Sequence, residues 1–350
     1  MRARSRIDIE RGEHDVLSPH ACFADESRGR AVHEEPDRFR TCFQCDRDRI
    51  FHCKSFRRLA NKTQVFLAPE GDHFRTRLTH TLEVAQIARD IARPLGLNED
   101  LTEAIALGHD LGHTPFGHAG ERGLQKAIGD HLGLESDSDV RKSRFRHNEQ
   151  SVRVLKRLEG GGRGLNLSYE VLDGIRCHVG GMRATTLEGR VVARADRIAY
   201  VNHDIDDAER AGLLDEDILP QQSCNVLGHS SSERIETLVE DLVCASEGKD
   251  DILASASVWE ALMDMRRFLF ENLYQTGDAK SEEPKAERMV ASLFGYYISH
   301  LSEVPDEFRG LGGEDYRVVA DYISSMTDRY AIRLYQELFV PRAWSLSRFA

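Results

Sequence analysis

The chain has 350 residues, is 40% apolar, and carries 59 acidic against 47 basic side chains for a net charge of -12. That size allows a large buried core and one to three domains, while the acidic balance excludes a broad polyanion-binding face and leaves room only for a local basic pocket that takes a small anion. No apolar run approaches the roughly 20 residues that span a bilayer, and the N-terminal MRARSRIDIERGEHDV has positive charge with no hydrophobic stretch behind it, so it is not a secretory signal.

In chain order, residues 1–36 are charged and weakly periodic and read as a flexible N-terminal segment. The seven cysteines are odd in number, and the pair Cys42-x-x-Cys45 has no matching second pair. They read as reduced thiols of a cytoplasmic protein rather than a disulfide frame or a zinc site. From about residue 40 the pattern is of helices joined by short loops, with almost no strict alternation. Loop signals stand at Pro69-Glu70-Gly71-Asp72, Gly160 to Gly164, His229 to Ser232 and Gly310 to Gly313. The expected architecture is all-α, with a catalytic core over 37–215 and a helical C-terminal part over 216–350 packed on it.

Helical spacing decides which polar residues can meet. His80 shares a face with Val84, Ile87, Ile91 and Leu95, so it points where the core residues point. His109 and Asp110 close the apolar run Leu101 to Leu107, and Gly112 and Pro115 then break the helix. His118 and Glu121 stand three apart on the next helix. His147 lines up with Ser151, Val154 and Leu158, and Asp196 with Tyr200, His203 and Asp207. Each helix thus turns a polar group from an otherwise apolar face, which is costly unless those groups bind a metal or each other.

The order His80, His109-Asp110, Asp196 supplies two imidazoles and two carboxylates. A lone histidine on an apolar face is more often a hydrogen-bonded core residue, but the four together read as ligands of one divalent metal ion: Mn, Mg, Fe, Co, Ni or Zn. His118 and Glu121 follow closely enough to read as a catalytic acid/base pair rather than an exposed helix pair. His73, His131 and His178 lack such context and read as surface or structural residues. The chemistry indicated is metal-assisted hydrolysis.

These residues sit in segments with a recognisable pattern. They are Asp46 to Phe51, Phe56 to Val65 (FRRLANKTQV), Arg75 to Val84 (RTRLTHTLEV), the stretch His109 to Glu121, Phe145 to Ser151 (FRHNEQS) and Ala195 to Ala208 (ADRIAYVNHDIDDA), with a further echo in Met326 to Ala331. Over about 37–215 the chain resembles the HD superfamily of metal-dependent phosphohydrolases, and within it the bacterial deoxyguanosinetriphosphate triphosphohydrolase-like proteins. The resemblance implies an HD-domain helical fold with additional C-terminal helices, and hydrolysis of a dNTP to deoxynucleoside and inorganic triphosphate. It implies His80, His109, Asp110 and Asp196 as metal ligands and His118 with Glu121 as the catalytic pair. It places His113 and His147 near the phosphates, Arg77 and Arg197 on them, and Gln64 and Tyr200 on the sugar. Arg197 stands where relatives often carry Lys, which keeps the charge but changes the donor geometry. The same resemblance implies a homo-oligomer, a possible nucleotide effector and no membrane association. Two other readings stay open at this point: an HD-type phosphodiesterase or nucleotidase acting on another phosphate ester, and a non-enzymatic nucleotide-binding protein.

Overall fold

The computed structural model describes residues 3–64, 75–135, 139–179, 181–210, 212, 214, 218–272 and 278–341. The helices are α1 (Arg6–Val16), α2 (Cys42–His52), α3 (Lys54–Arg58), α4 (Arg77–Ala92), α5 (Glu99–Gly108), α6 (Gly117–His131), α7 (Asp139–Arg144), α8 (His147–Arg153) and α9 (Tyr169–Cys177). They continue with α10 (Leu187–Arg210), α11 (Gln221–Leu227), α12 (Ser231–Ser246), α13 (Ala256–Asn272), α14 (Asp278–Ser299), α15 (Asp306–Arg309), α16 (Asp315–Ser324) and α17 (Asp328–Phe339). Among the described residues the extended pairings are two single-residue bridges, Arg30 with Ser168 and Thr63 with Thr76. The chain is all-α, as its periodicity indicated. The loop expected at Pro69 to Asp72 lies outside the described residues.

Local chemistry sets the helix starts that matter for the site. Thr76 caps α4 with its side chain accepting from the Thr79 amide, and Asn98 caps α5 by accepting from the Leu101 amide. The apolar run then stays helical to Gly108, and residues 109–116 make an irregular turn before α6. Gly112 permits that turn to touch α8. A Cβ there would lie 2.2 Å from the Ser151 amide nitrogen and 2.3 Å from the His147 carbonyl oxygen. Phe116, buried and with φ of 64°, starts α6 from the left-handed region. A bulky residue there costs about 1–3 kcal/mol and needs support from its surroundings.

Packing forms two apolar groups. The first joins α2, α4, α5, α9 and α10 through residues such as Phe43, Ile91, Ile105, Ile175 and Ile198, and extends over Leu227, Leu242 and Met265 of α11, α12 and α13. The second joins α6 to α14, α16 and α17 through Leu124, Ile128, Leu293, Phe294, Val319 and Ala331. Residue 215 is therefore not where the cores divide. α11 to α13 complete the first core, and α6 leaves it to pack with the last helices. Gly123 lets α6 approach α14 closely, since a Cβ there would lie 2.5 Å from the Glu287 carbonyl oxygen.

The N-terminal segment, expected to be flexible, is stitched onto the first core. Ser5 and Asp8 form a capping box on α1. The Cys22 amide donates to Glu188 (2.9 Å), and the Arg28 amide to Glu170 (2.7 Å). Arg30 pairs with Asp46, whose other oxygen accepts from the Ser168 amide at 2.8 Å. The reason is long-range. The segment has little apolar surface of its own, but three buried carboxylates from later helices need donors, and its backbone and Arg30 supply them.

Replacing Arg30 by Leu would leave the Asp46 carboxylate buried without its cation. Loss of one partner of such a pair costs about 3–5 kcal/mol, and a urea titration of Arg30→Leu should show a correspondingly lower midpoint. A midpoint equal to that of the parent chain would mean that this tie does not hold the segment.

Candidate active site

The site assembles where α4, the turn after α5, and α10 converge. His80 projects from α4, His109 and Asp110 from the turn, and Asp196 from α10. The His80 Nε2 lies 3.1 Å from Asp196 Oδ1, and the His109 Nε2 lies 3.7 Å from the same oxygen and 3.5 Å from Asp110 Oδ1. His109 donates from Nδ1 to the Ala106 carbonyl at 2.6 Å, which makes Nε2 the bare nitrogen. That Nε2 is buried and has no hydrogen-bond partner. Burial alone would raise the Asp196 and Asp110 carboxyls, but the neighbouring histidines, and at Asp110 also Arg77, hold both below the usual carboxylate range.

A bare imidazole nitrogen facing carboxylate oxygens is repelled unless a cation sits between them. This donor set therefore fits a divalent metal ion, with mixed nitrogen and oxygen ligands and an orphaned buried nitrogen aimed at it. His178 joins the same group: its ring stands 5.0 Å from that of His109, and its ligating atom clusters with those of His109 and Asp196. It donates from Nδ1 to Ile175 at 2.7 Å, and burial pushes its imidazole down to about 4, so it is neutral. His178 reads as a surface or structural residue from the sequence; it is buried, and the structure places its ring in this group. The available signal was that both His109 and His178 follow directly on a helix end and donate to the carbonyl three residues back.

A second cluster lies beside the first. Glu121 accepts from the His147 ring at 2.9 Å and from the His147 amide at 3.1 Å, and stands 3.5 Å from His118 Nδ1. His113 stacks on His147 at 3.9 Å and links the clusters through a 3.3 Å approach to Asp110. Burial would raise Glu121, but His147, His118 and His113 hold it well below its ordinary value. Burial would lower His147, and Glu121 raises it. His118, 58% exposed at its side chain, is the open member of this otherwise buried group.

Both clusters border a cavity of about 630 Å³ lying between the two apolar cores. Gln64, Arg197 and Tyr200 line it, and His118, His178 and Asp196 open onto it. His113 and His147 lie buried behind His118 rather than on its surface. Arg77 differs from the implied phosphate contact: it is 2% exposed and donates to Asp110 Oδ2 at 2.7 Å. In this arrangement it orients a carboxylate and neutralises charge beneath the site. A larger groove of about 1000 Å³ runs along the N-terminal segment, but its mixed-charge lining contains none of these residues.

Three contributors escaped the sequence reading because they come from the C-terminal helices. Arg266 and Phe270 of α13 line the cavity, and Arg266 has no acidic partner among the described residues. Burial, and then Arg266, push the Arg197 guanidinium below its ordinary value, so two like charges share a space that an anion would relieve. Asp328 of α17 accepts from the Phe116 amide at 3.0 Å and from the Thr63 hydroxyl at 2.6 Å. It thereby supports the strained start of α6 and the stretch that carries Thr63 and Gln64. The echo at Met326 to Ala331 was visible in the sequence, but not what it touches.

The chain is similar to known proteins along most of its length. The HD domain family matches residues 77–201, and the phosphohydrolase-associated domain matches 252–337, which holds Arg266, Phe270 and Asp328. A deoxyguanosinetriphosphate triphosphohydrolase-like protein of Caldanaerobacter subterraneus subsp. tengcongensis is 53% identical over 335 residues, covering 95% of each chain. A protein of the same description from Clostridium perfringens (strain 13 / Type A) is 48% identical, covering 96% of this chain and 98% of its own. A solved structure of a hypothetical protein from Aquifex aeolicus aligns with a TM-score of 0.43 at 17% identity, over 85% of this chain and 68% of that one. With 53% and 48% identity to these two relatives sustained along nearly the whole of each chain, this chain belongs to the deoxyguanosinetriphosphate triphosphohydrolase-like proteins, HD-domain members of the phosphohydrolases.

Proposed function

We propose that the chain is a metal-dependent dNTP triphosphohydrolase that releases deoxynucleoside and inorganic triphosphate. One observation carries the reading. The His/Asp acceptor cluster opens onto a cavity whose other wall bears two arginines without acidic partners among the described residues, together with Gln64 and two aromatic rings, Tyr200 and Phe270. The names of the relatives support the same substrate class.

His80, His109, Asp110 and Asp196 would hold the metal ion, with His178 beside them. A divalent ion there supplies Lewis-acid polarisation of a phosphoryl group and lowers the pKa of bound water. The remaining work falls to the protein. Arg197 and Arg266 clamp phosphate oxygens, whose charge spreads in the transition state. His118 exchanges a proton with the attacking or leaving oxygen, since it alone of its cluster is exposed to the cavity. Glu121 orients His118 and His147 together, and His147 screens that carboxylate from below. Gln64 and Tyr200 hydrogen-bond the sugar. The acidic net charge does not oppose this, because the local arginines and the metal set the field within the cleft.

The deciding experiment is product analysis. Incubation of dGTP with the protein and Mn²⁺, followed by anion-exchange chromatography, should show deoxyguanosine and inorganic triphosphate. Release of a nucleoside monophosphate as the sole nucleotide product would replace this reading by a phosphodiesterase or nucleotidase.

Three substitutions probe the roles separately. His109→Ala and Asp110→Asn should abolish Mn²⁺-dependent hydrolysis and lower bound metal while circular dichroism stays helical. Asn is chosen at 110 because Ala would leave the buried Arg77 guanidinium without its partner. Turnover near that of the parent in Asp110→Asn would refute the ligand role. His118→Ala should reduce turnover about a hundredfold or more with metal content unchanged. Loss of the metal in that variant would make His118 a ligand instead.

A further inference from the structure

A carboxylate and a histidine outside both clusters stand directly behind His80. The His80 Nδ1 lies 3.2 Å from the His203 Nδ1, with the two rings 84° apart and both buried. The His203 Nε2 meets Glu83 Oε2. Glu83 is one turn beyond His80 on α4, and His203 comes from the facing stretch of α10. Arg75 donates to Glu83 at 3.2 Å and pairs with Asp206 and Asp207 at 3.0 Å each. The row runs Arg75, Glu83, His203, His80, and it ends at the acceptor cluster.

The proton positions along this row follow from the carboxylate. An ionised carboxylate only accepts, so the His203 nitrogen that meets Glu83 must carry a hydrogen. In the neutral ring its Nδ1 is then a lone pair, and the facing His80 Nδ1 must donate to it. The His80 Nε2 is left bare, 3.1 Å from Asp196 Oδ1. The reverse assignment would set a bare His203 nitrogen against the Glu83 carboxylate and a protonated His80 Nε2 in the cluster. At His109 a backbone carbonyl does the equivalent work (2.6 Å to Ala106). His80, in the interior of its helix, has no carbonyl partner for its ring among the described residues.

We infer that Glu83 and His203 are positioning residues that act through His80, locking its ring orientation and its Nδ1–H tautomer so that Nε2 is presented to a metal ion. This rests on the reading of His80 as a ligand. Outer partners of metal-bound histidines commonly contribute 10–100-fold to affinity, which sets the size of the expected effect.

The test is titration with Mn²⁺, following the free-ion signal by electron paramagnetic resonance, on the full chain and on His80→Ala, His203→Leu, His203→Gln and Glu83→Ala. His203→Leu should weaken Mn²⁺ binding by about 10–100-fold, and His203→Gln should recover most of it. The glutamine carbonyl can accept from His80 and its amide can donate to Glu83, which a merely space-filling role would not require. Glu83→Ala should fall between the two. At saturating Mn²⁺ the KM for dGTP should not move, which separates the effect from damage to Tyr200 and the cavity wall. Parent-like affinity in His203→Leu, or a glutamine variant no better than leucine with the fold intact, overturns the inference. If His203→Leu does not fold, Glu83→Ala decides, because Glu83 is partly exposed, and parent-like affinity there overturns it. Parent-like Mn²⁺ binding in His80→Ala would remove the ligand reading and this inference together. Loss in His80→Ala with none in His203→Leu would remove only the latter.

Discussion

Everything in this molecule is organised around a repulsion. Two imidazole nitrogens and two carboxylates, drawn from α4, the turn after α5, and α10, are turned toward one another within a few ångströms and largely out of water. Such a group opposes folding unless cations answer it. One answer is built in: the buried Arg77 guanidinium against Asp110. The other is the divalent ion that this donor set fits. The backbone carbonyls of Ala106 and Ile175 set the tautomers of His109 and His178 without using any further side chain. The cost of assembling the cluster is carried by the rigid core beneath it, where residues such as Ile91, Leu101, Ile105 and Ile198 are fully buried.

The second constraint is the seam between the two cores. The cavity lies there, so its lining comes from helices far apart in sequence. Among the polar ties that cross the seam, two meet beside the site. Asp328 reaches from α17 to Phe116 and Thr63. Lys62, fully buried, donates to the carbonyls of His113 and Ser324, and burial pushes its ammonium down to about 7. These ties couple the turn that carries His109, Asp110 and His113 to the C-terminal helices. The left-handed Phe116 at the start of α6 is tolerable because its amide is held and its ring is packed.

The two histidine clusters divide labour by exposure. The acceptor cluster is closed on the protein side and reaches the cavity through Asp196 and His178. In the neighbouring cluster, Glu121 and His147 are buried and hydrogen-bonded to each other, His113 is buried and stacked on His147, and His118 alone is open. On the proposed reading, proton traffic with a phosphate ester would have one outlet, His118, with the buried groups behind it setting its charge and orientation.

Much of this was legible in the chain itself. A period of 3.6 residues and the break at Gly112 and Pro115 dictated helices and a turn, because these are local preferences of the backbone. The pattern His80, His109-Asp110, Asp196 marked an unusual set of polar groups on apolar faces, which needs no tertiary knowledge to notice. What only the tertiary structure decided concerns partners distant in sequence. The first residues are ordered because Glu170, Glu188 and Asp46 require donors. Arg77 turns inward because Asp110 is there to receive it. His178, Arg266 and Asp328 reach the site only because α9, α13 and α17 pack beside it. Periodicity fixes which face of a helix a side chain leaves from; it does not say which other helix that face will meet, and the chemistry of this site depends on those meetings.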